Sequence, residues 1–341
     1  MDVPKILDKP KQLIALTSLT REEFDLLLPP FRQAWLNWYK HYGMNFKRRS
    51  KPLTARQLQR PTATLSEVED KLFFILYHFK TNHLQEDYAA ILDMDQGMVS
   101  KWIKILEPLL EKALRSLNVQ PARNAEELRR HFDARQQHQE FPNSKPKART
   151  LGADATDRPI GRSVDQETQK RYYTGKHRKH TVKNSVLADE YQFVHFLGST
   201  YRGARHDKTI LDEELPDFKA PCFEDLWLSK DSGYQGYRPE GVHLLEPFKA
   251  RRNHPLTEFE KTFNHWVSKV RITVENAIGS IKKLRLVKER WRGKTLERID
   301  RCMSIATGLH NLRIVMRQST YQKATQRIDE LLFFWPHVHK V

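Results

Sequence analysis

From about residue 149 the chain changes texture, and this change constrains the fold more than any other feature. Short apolar runs replace helical periodicity: T-L-G-A-D-A-T, H-T-V-K-N-S-V-L-A-D and Q-F-V-H-F-L-G-S-T-Y. A helical H-D-K-T-I-L-D-E-E-L follows, then a brief D-L-W-L-S-K-D. Apolar runs of this length, bounded by polar and Gly turns, read as strands. Residues 257 to 288 read largely as helix, and a final helix carries Ile305, Leu309, Leu312 and Val315. Three strands, a helix, another strand and closing helices predict a mixed α/β sheet. Neither G-x-G-x-x-G nor a Walker loop occurs, which speaks against a nucleotide cofactor.

The first 120 residues are helical in pattern. L-T-R-E-E-F-D-L-L-L-P-P-F carries Thr20 with Glu23 three residues on, the spacing of a capping box. A basic stretch follows, with Lys47, Arg48, Arg49, Lys51, Arg56 and Arg60, readable as a solvated arm or as phosphate contacts. Between about 65 and 118, Leu72, Ile75 and Leu76 mark one helix and Q-E-D-Y-A-A-I-L a second. After a break at D-M-D comes a third, Q-G-M-V-S-K-W-I-K-I-L-E-P-L-L-E-K-A-L. This is the helix-turn-helix pattern, with Ala89 and Ala90 allowing close approach and Val99, Ile103 and Leu106 facing inward. Gln96, Ser100, Lys101 and Lys104 would then face base edges or phosphates. Any three-helix bundle would give the same apolar stripe; DNA binding is the preferred reading.

Residues 119 to 148 are polar and read as a helical extension and then a linker. The expected organisation is an arm at 1–60, a helix-turn-helix domain at 61–118, a linker at 119–148, a catalytic domain at 149–318 and a tail at 319–341. The formal net charge of +17 over 341 residues makes a polyanion the expected partner. Cys222 and Cys302 show no paired spacing, so neither a disulfide framework nor a Cys-based zinc site is suggested. A reducing intracellular setting follows by default. No apolar run approaches the roughly 20 residues a membrane span needs, so a soluble chain is expected.

Three acidic residues sit where a carboxylate is hard to explain by packing. Asp154 lies just past an apolar step, Asp231 at a strand end before S-G-Y-Q-G, and Glu275 on the apolar-periodic helix R-I-T-V-E-N-A-I-G-S-I-K-K. Carboxylates from two strands and a helix are a ligand set suited to hard, oxygen-seeking Mg²⁺. Side chains alternate along a strand, so Asp154 and Asp157 should face opposite ways, and Asp154 is preferred for the site. Arg271, Glu275 and Lys282 share one helical face. As a mere surface salt bridge, Arg271 with Glu275 would contribute only about 0–1 kcal/mol. With the carboxylate holding a metal, the cations are free to take phosphate oxygens. Ile272, Val274, Ile278 and Ile281 are expected to bury this helix against the sheet.

At these residues the chain resembles a DDE transposase of the bacterial insertion-sequence type, in the branch related to Harbinger elements. The resemblance covers roughly 150 to 315. It rests on D-A-T-D-R-P-I, Y-Y-T-G-K-H-R-K-H-T-V-K, R-H-D-K-T-I-L, D-S-G-Y-Q-G and N-H-W-V-S-K-V-R-I-T-V-E-N-A-I-G-S-I-K. A related family carries the signature Tyr-x2-Arg-x3-Glu-x6-Lys; Arg271, Glu275 and Lys282 satisfy it, whereas Ser268 stands at the Tyr position. The resemblance implies an RNase H-like catalytic domain with Asp154, Asp231 and Glu275 as the triad. Two Mg²⁺ ions per site, replaceable by Mn²⁺, would serve hydrolysis at a transposon end and joining of the freed 3′-OH to target DNA. The implied partner is double-stranded DNA, as terminal inverted repeats and target, with a homodimer expected on DNA and a cytoplasmic, nucleoid-associated location. Lys176, His177, Arg178, Lys179, His180 and Lys183 would hold flanking backbone. So would Lys282, Lys283, Arg285, Lys288, Arg290 and Arg292.

Other features carry less. His206 beside Asp207 reads as a helix start with an incidental His, and His177 with His180 lacks the further ligands of a zinc site. Trp266 and Trp291 are assigned to packing ahead of stacking on a flipped base. Two rivals remain: a domesticated DNA-binding relative, disfavoured by the intact acids and cations, and a stand-alone RNase H-like nuclease, disfavoured by the helix-turn-helix.

Overall fold

The structure is a computed structural model. It describes residues 3–58, 62, 64–137, 149–175, 178–248, 250, 255–293 and 295–317. Arg60, Lys176, His177 and the expected tail at 319–341 lie outside these residues. The helices before the sheet are α1 (Val3–Leu7), α2 (Pro10–Thr17), α3 (Arg21–His41), α4 (Ala55–Leu58), α5 (Val68–Thr81), α6 (Gln85–Leu92), α7 (Gln96–Ser116) and α8 (Ala125–Gln137). Then come β1 (Arg149–Pro159), α9 (Gln166–Tyr172), β2 (Tyr173–Thr174), β3 (Lys179–Asp189), β4 (Val194–Leu197), β5 (Tyr201–Arg202) and α10 (Asp207–Glu214). The chain continues with β6 (Leu226–Lys230), β7 (His243–Leu245), α11 (Glu258–Ile281), α12 (Arg285–Lys288) and α13 (Leu296–Met316). Two compact units result. One comprises Met1–Gln120 and Ile281–Arg313; the other takes Pro121–Ser280 and resumes at Ile314.

In the helical unit, α3 starts at the expected capping box. The Thr20 N–H donates to Glu23 Oε2 (2.8 Å) and the Glu23 N–H to Thr20 Oγ1 (3.3 Å). The helix then runs through Pro29 and Pro30, well beyond its short sequence pattern. An interior Pro costs about 3 kcal/mol, but each large apolar side chain buried returns about 1.5–3 kcal/mol. Phe24, Leu27, Phe31, Ala34 and Trp35 are all buried, which outweighs the prolines. Helix α3 packs on α5 and α7, so the expected arm shares its core with the helices that follow. Lys71 is buried at that junction, with Nζ donating to the carbonyls of Leu65, Ser66 and Glu67 and lying 4.9 Å from the Trp35 ring and 5.6 Å from Trp102. Burial lowers its pKa to about 8.

Helices α5, α6 and α7 fall where their periodicity places them. Asp95 caps α7 by accepting from the Met98 N–H (2.9 Å). Val99, Ile103 and Leu106 are buried, Gln96, Lys101 and Lys104 exposed, and Ser100 half-buried. Helices α12 and α13 belong to this unit, although the sequence groups them with the sheet. Asn311 donates to the Val119 carbonyl (2.9 Å) and Ser304 to the Gln120 side chain (2.9 Å). Buried Glu107 of α7 takes two hydrogen bonds from Arg298 of α13, at 2.6 and 3.0 Å.

The other unit is built on a mixed sheet ordered β2-β3-β1-β6-β7, with β4 and β5 also paired to β3. β1 runs antiparallel to β3 and parallel to β6, and β6 is parallel to β7. The third expected strand divides into β4 and β5 around Gly198, and β2, β7 and α9 are too short to leave a periodic signal. Each face carries its own core. Leu151, Ala153, Leu187 and Leu228 pack with Leu128 and Phe132 of α8, Leu211 of α10, and Tyr234 and Tyr237. The polar stretch expected to hold a helical extension and then a linker carries α8, packed on this unit through Phe132, and residues 138–148 lie outside the described residues. On the opposite face, Trp227 and Leu245 meet Phe263, Trp266, Val267 and Val270 of α11. Trp266 is thus a core residue.

Glu214, at the end of α10, accepts from the Ser199 N–H (2.6 Å), yet burial dominates and raises its pKa to about 7. An acid whose folded pKa exceeds its unfolded value stabilises fully at low pH and loses that contribution as pH rises through the folded pKa. Stability should therefore fall between about pH 4.5 and 7. Denaturant midpoints across this window should decline in the native chain and flatten in Glu214→Gln.

Candidate active site

The last paired residues of β1 and β6 are Ala153 and Lys230, so Asp154 and Asp231 each follow by one on neighbouring parallel strands. β6 ends there and the chain turns through Ser232–Tyr234, with Gly236 at φ +85° in the left-handed region. This turn sets Asp231 at the carboxyl end of its strand, where open α/β sheets present ligands. β1 continues to Pro159, and alternation puts Asp154 on the same face as Gly152, the face covered by α11.

Gly152 explains how α11 comes close enough to take part. A Cβ there would sit 3.2 Å from Val274 Cβ and 3.3 Å from the Val270 carbonyl oxygen. Glycine lets the helix backbone lie this near the strand, since a Cβ would have to push Val274 or the Val270 carbonyl back by a few tenths of an ångström. Val270, Val274, Ala277 and Ile278 are buried at helical spacing, while Arg271 and Glu275 stand at the edge of that stripe. Arg271 Nη2 donates to Asp231 Oδ1 (2.6 Å) and lies 3.9 Å from Glu275 Oε1. One guanidinium thus joins the strand-end carboxylate to the helix carboxylate. Asp154 accepts from the Ala155 N–H (2.7 Å) and is partly buried.

Asp157 faces the other way, accepting from Thr181 Oγ1 (3.0 Å). Its cross-strand neighbour Lys183 is buried and pairs with Asp207 at 2.8 Å. Lys183 therefore departs from the expected DNA-contacting run: its charge is already committed within the protein. Arg178 and Lys179 of that run are exposed. His206 is the N-cap residue and Asp207 the first residue of α10, as the sequence reading has it. Ile272 departs from expectation too: it is half exposed, on the side of α11 away from the sheet. Lys282 lies one residue past the end of α11, in the turn towards α12. Lys283 and Arg285 are exposed, with Arg285 paired to Glu289 at 2.5 Å.

Two contributors escape the sequence reading. Gly152 carries a signal, since a glycine inside an apolar strand marks close backbone approach. Tyr234 is buried, and burial, with the Asp207 and Asp154 charges adding, pushes its phenol pKa well up, so it stays protonated. As placed, no three His, Cys, Asp or Glu side chains among the described residues are grouped closely enough to hold a metal ion. The donor chemistry nonetheless fits a hard divalent cation: three carboxylates on one face and no soft ligand.

Residues 153–311 match the family model described as DDE superfamily endonuclease, a range that contains all three acids. Over 166 residues the chain is 24% identical to the probable transposase for insertion sequence element IS702 from Microchaete diplosiphon. That match covers 48% of this chain and 57% of the relative, so the chain spans little more than half of that protein's length. No solved structure matches the chain. Both matches fall on the stretch that carries the resemblance to DDE transposases of the insertion-sequence type, and neither bears on the Harbinger-related branch. The DDE endonuclease superfamily generally uses divalent metals. No described helix is long and apolar enough to cross a membrane.

Proposed function

We propose that this chain cleaves DNA at transposon ends and joins the freed 3′-OH to target DNA, with Asp154, Asp231 and Glu275 holding two Mg²⁺ ions. The observation that carries the reading is the placement of Asp154 and Asp231 side by side on parallel strands beneath a helix bearing Arg271 and Glu275. When bound, the metal supplies Lewis-acid polarisation of the phosphoryl oxygen and lowers the pKa of the attacking water. Arg271 orients the Asp231 carboxylate and offers positive charge to a phosphate oxygen. Gly152 lets α11 lie against β1, which keeps Glu275 on the aspartates' side of the sheet. Lys282 is assigned a phosphate contact on the strength of the signature alone. A homodimer on DNA follows from the need to hold two ends, and a place on the nucleoid from the substrate.

In the helical unit, Gln96 and Ser100 would read base edges, with Lys101 and Lys104 on phosphates. Arg178, Lys179, Lys283 and Arg285 would add backbone contacts. Replacing Lys101 or Lys104 with Gln should weaken binding to all sequences alike and reduce the salt slope by about 1 each. Fluorescence anisotropy at several salt concentrations checks this; an unchanged slope removes α7 from the interface. For the reaction, a supercoiled plasmid carrying the DNA that flanks the coding region is the substrate. Mg²⁺-dependent breaks leaving 3′-OH ends at inverted repeats are expected, and their absence would end the reading.

A further inference from the structure

The basic stretch that follows α3 has no part in the proposed function as described so far. From Leu26 to Ser66 the chain holds no Asp or Glu, while Lys40, Lys47, Arg48, Lys51 and Arg56 are all exposed. None of these five cations pairs with a carboxylate among the described residues, whereas Arg32, further back on α3, is held by Glu69 (2.7 Å). Exposed cations on α9 and α11 also find partners three residues away, Lys170 with Glu167 (2.9 Å) and Lys261 with Glu258 (2.7 Å). A solvated helical face is commonly laced by such pairs. Here the positive charge is left uncompensated, which suits a polyanion.

The stretch is folded onto α3. Tyr42 and Arg48 form an antiparallel bridge across a tight turn. Within it the Gly43 N–H donates to the Lys47 carbonyl (3.0 Å), the Phe46 N–H to the Gly43 carbonyl (2.9 Å) and the Lys47 N–H to Asn45 Oδ1 (3.1 Å). Arg49 returns the chain to the helix: its Nε donates to the Tyr39 carbonyl (3.2 Å) and its guanidinium lies 5.1 Å from the Tyr39 ring. Trp35 of α3 meets Trp102 of α7 at 5.7 Å, so the turn is mounted on the core of the helical unit. Beside Lys47 and Arg48, Phe46 is held at φ +61° with its side chain 46% exposed. The left-handed region is unfavourable for a bulky L-residue, and a half-exposed ring gains little packing in the free chain. Strain of this kind collects where a ligand is gripped.

We propose that this turn grips duplex DNA without regard to sequence, with Lys47 and Arg48 on phosphates and the Phe46 ring against the groove between them. Lys40, Lys51 and Arg56 extend the positive surface around it. Apolar side chains set among cations are a recurring means of contacting the minor groove. A lipid surface would instead take up a wide apolar helix face, whereas α3 exposes Arg32, Gln33, Asn37 and Lys40. The inference rests on the proposed action on DNA and on neither α7 nor the three acids.

Anisotropy titrations of the full chain against two duplexes of unrelated sequence, each at several salt concentrations, test it. In Lys47→Gln with Arg48→Gln, the slope of log affinity against log salt should fall by about 2 on both duplexes, at roughly 0.9 per lost phosphate contact. Lys9→Gln with Lys11→Gln removes the same charge from exposed positions on α2 and should leave the slope unchanged. Phe46→Asn keeps a residue that tolerates the left-handed region. It should weaken binding about fivefold, the worth of covering half a phenyl ring, with the slope unchanged and thermal melting equal or higher. If the native chain binds DNA and the Lys47/Arg48 variant keeps its slope, the proposal falls and the proposed function stands. If the native chain binds no duplex, both fall. Equal slope losses in the two double variants would show that only net charge acts, and would overturn the proposal. So would sedimentation with phosphatidylserine vesicles that is lost in the Lys47/Arg48 variant while duplex affinity is kept, which would assign the surface to a membrane.

Discussion

Replacing Asp154 or Asp231 with Asn is expected to lower Mg²⁺-dependent DNA cleavage by about 10³-fold or more, the upper range for losing one preorganised electrostatic group. The amide is nearly isosteric, which separates charge from shape. Asn at 231 still accepts from Arg271, and Asn at 154 still accepts from the Ala155 N–H. The local geometry therefore survives while the negative charge a divalent cation needs is gone. Thermal melting should stay close to that of the native chain, because both side chains are only partly buried. Asp157→Asn supplies the contrast. That residue shares the strand but faces away, towards Thr181, and its variant should retain cleavage within a few-fold.

The largest stability effect is expected at Glu107, far in sequence from the acids. Its carboxylate is 2% exposed and takes two hydrogen bonds from Arg298. Glu107→Ala leaves a guanidinium facing a cavity, and breaking a buried pair from one side costs about 3–5 kcal/mol. The double change Glu107→Leu with Arg298→Met should recover most of that loss, since a well-packed apolar pair replaces a buried ion pair at little cost. Urea unfolding of the single and double variants tests this. Equal destabilisation in both would show that Glu107 acts through packing and not through its charge.

Both cases show what the sequence made legible. Helices α5 to α7, strands β1, β3 and β6, and the capping box at Thr20 were visible because each depends on local periodicity or local hydrogen bonds. The preference for Asp154 over Asp157 followed from strand alternation, and the observed strand continues past both. Periodicity reports which side of an element is buried, never what buries it. That is why Ile272, apolar and on a buried helix, reads as core but lies on the outer side. The Glu107–Arg298 pair joins residues 191 apart in sequence, and nothing local marks Glu107 within its apolar run. The same limit hid the grouping of α12 and α13 with the first helices. Lys183 read as one more cation in a basic run because its partner Asp207 is brought in only by the sheet and α10. The approach of α11 to β1 at Gly152 was signalled by a strand glycine, although its meaning needed the helix above it.

The central claim is that Asp154, Asp231 and Glu275 form one divalent-metal site. Mn²⁺ binding to the full chain, followed by electron paramagnetic resonance in the absence of DNA, tests it most directly, because a metal signal does not depend on finding the DNA substrate. The expected result is saturable binding by the native chain, with affinity reduced by about 10-fold or more in Asp154→Asn, Asp231→Asn and Glu275→Gln alike and unchanged in Asp157→Asn. Undiminished Mn²⁺ binding in any of the three variants, with the fold intact, would contradict it.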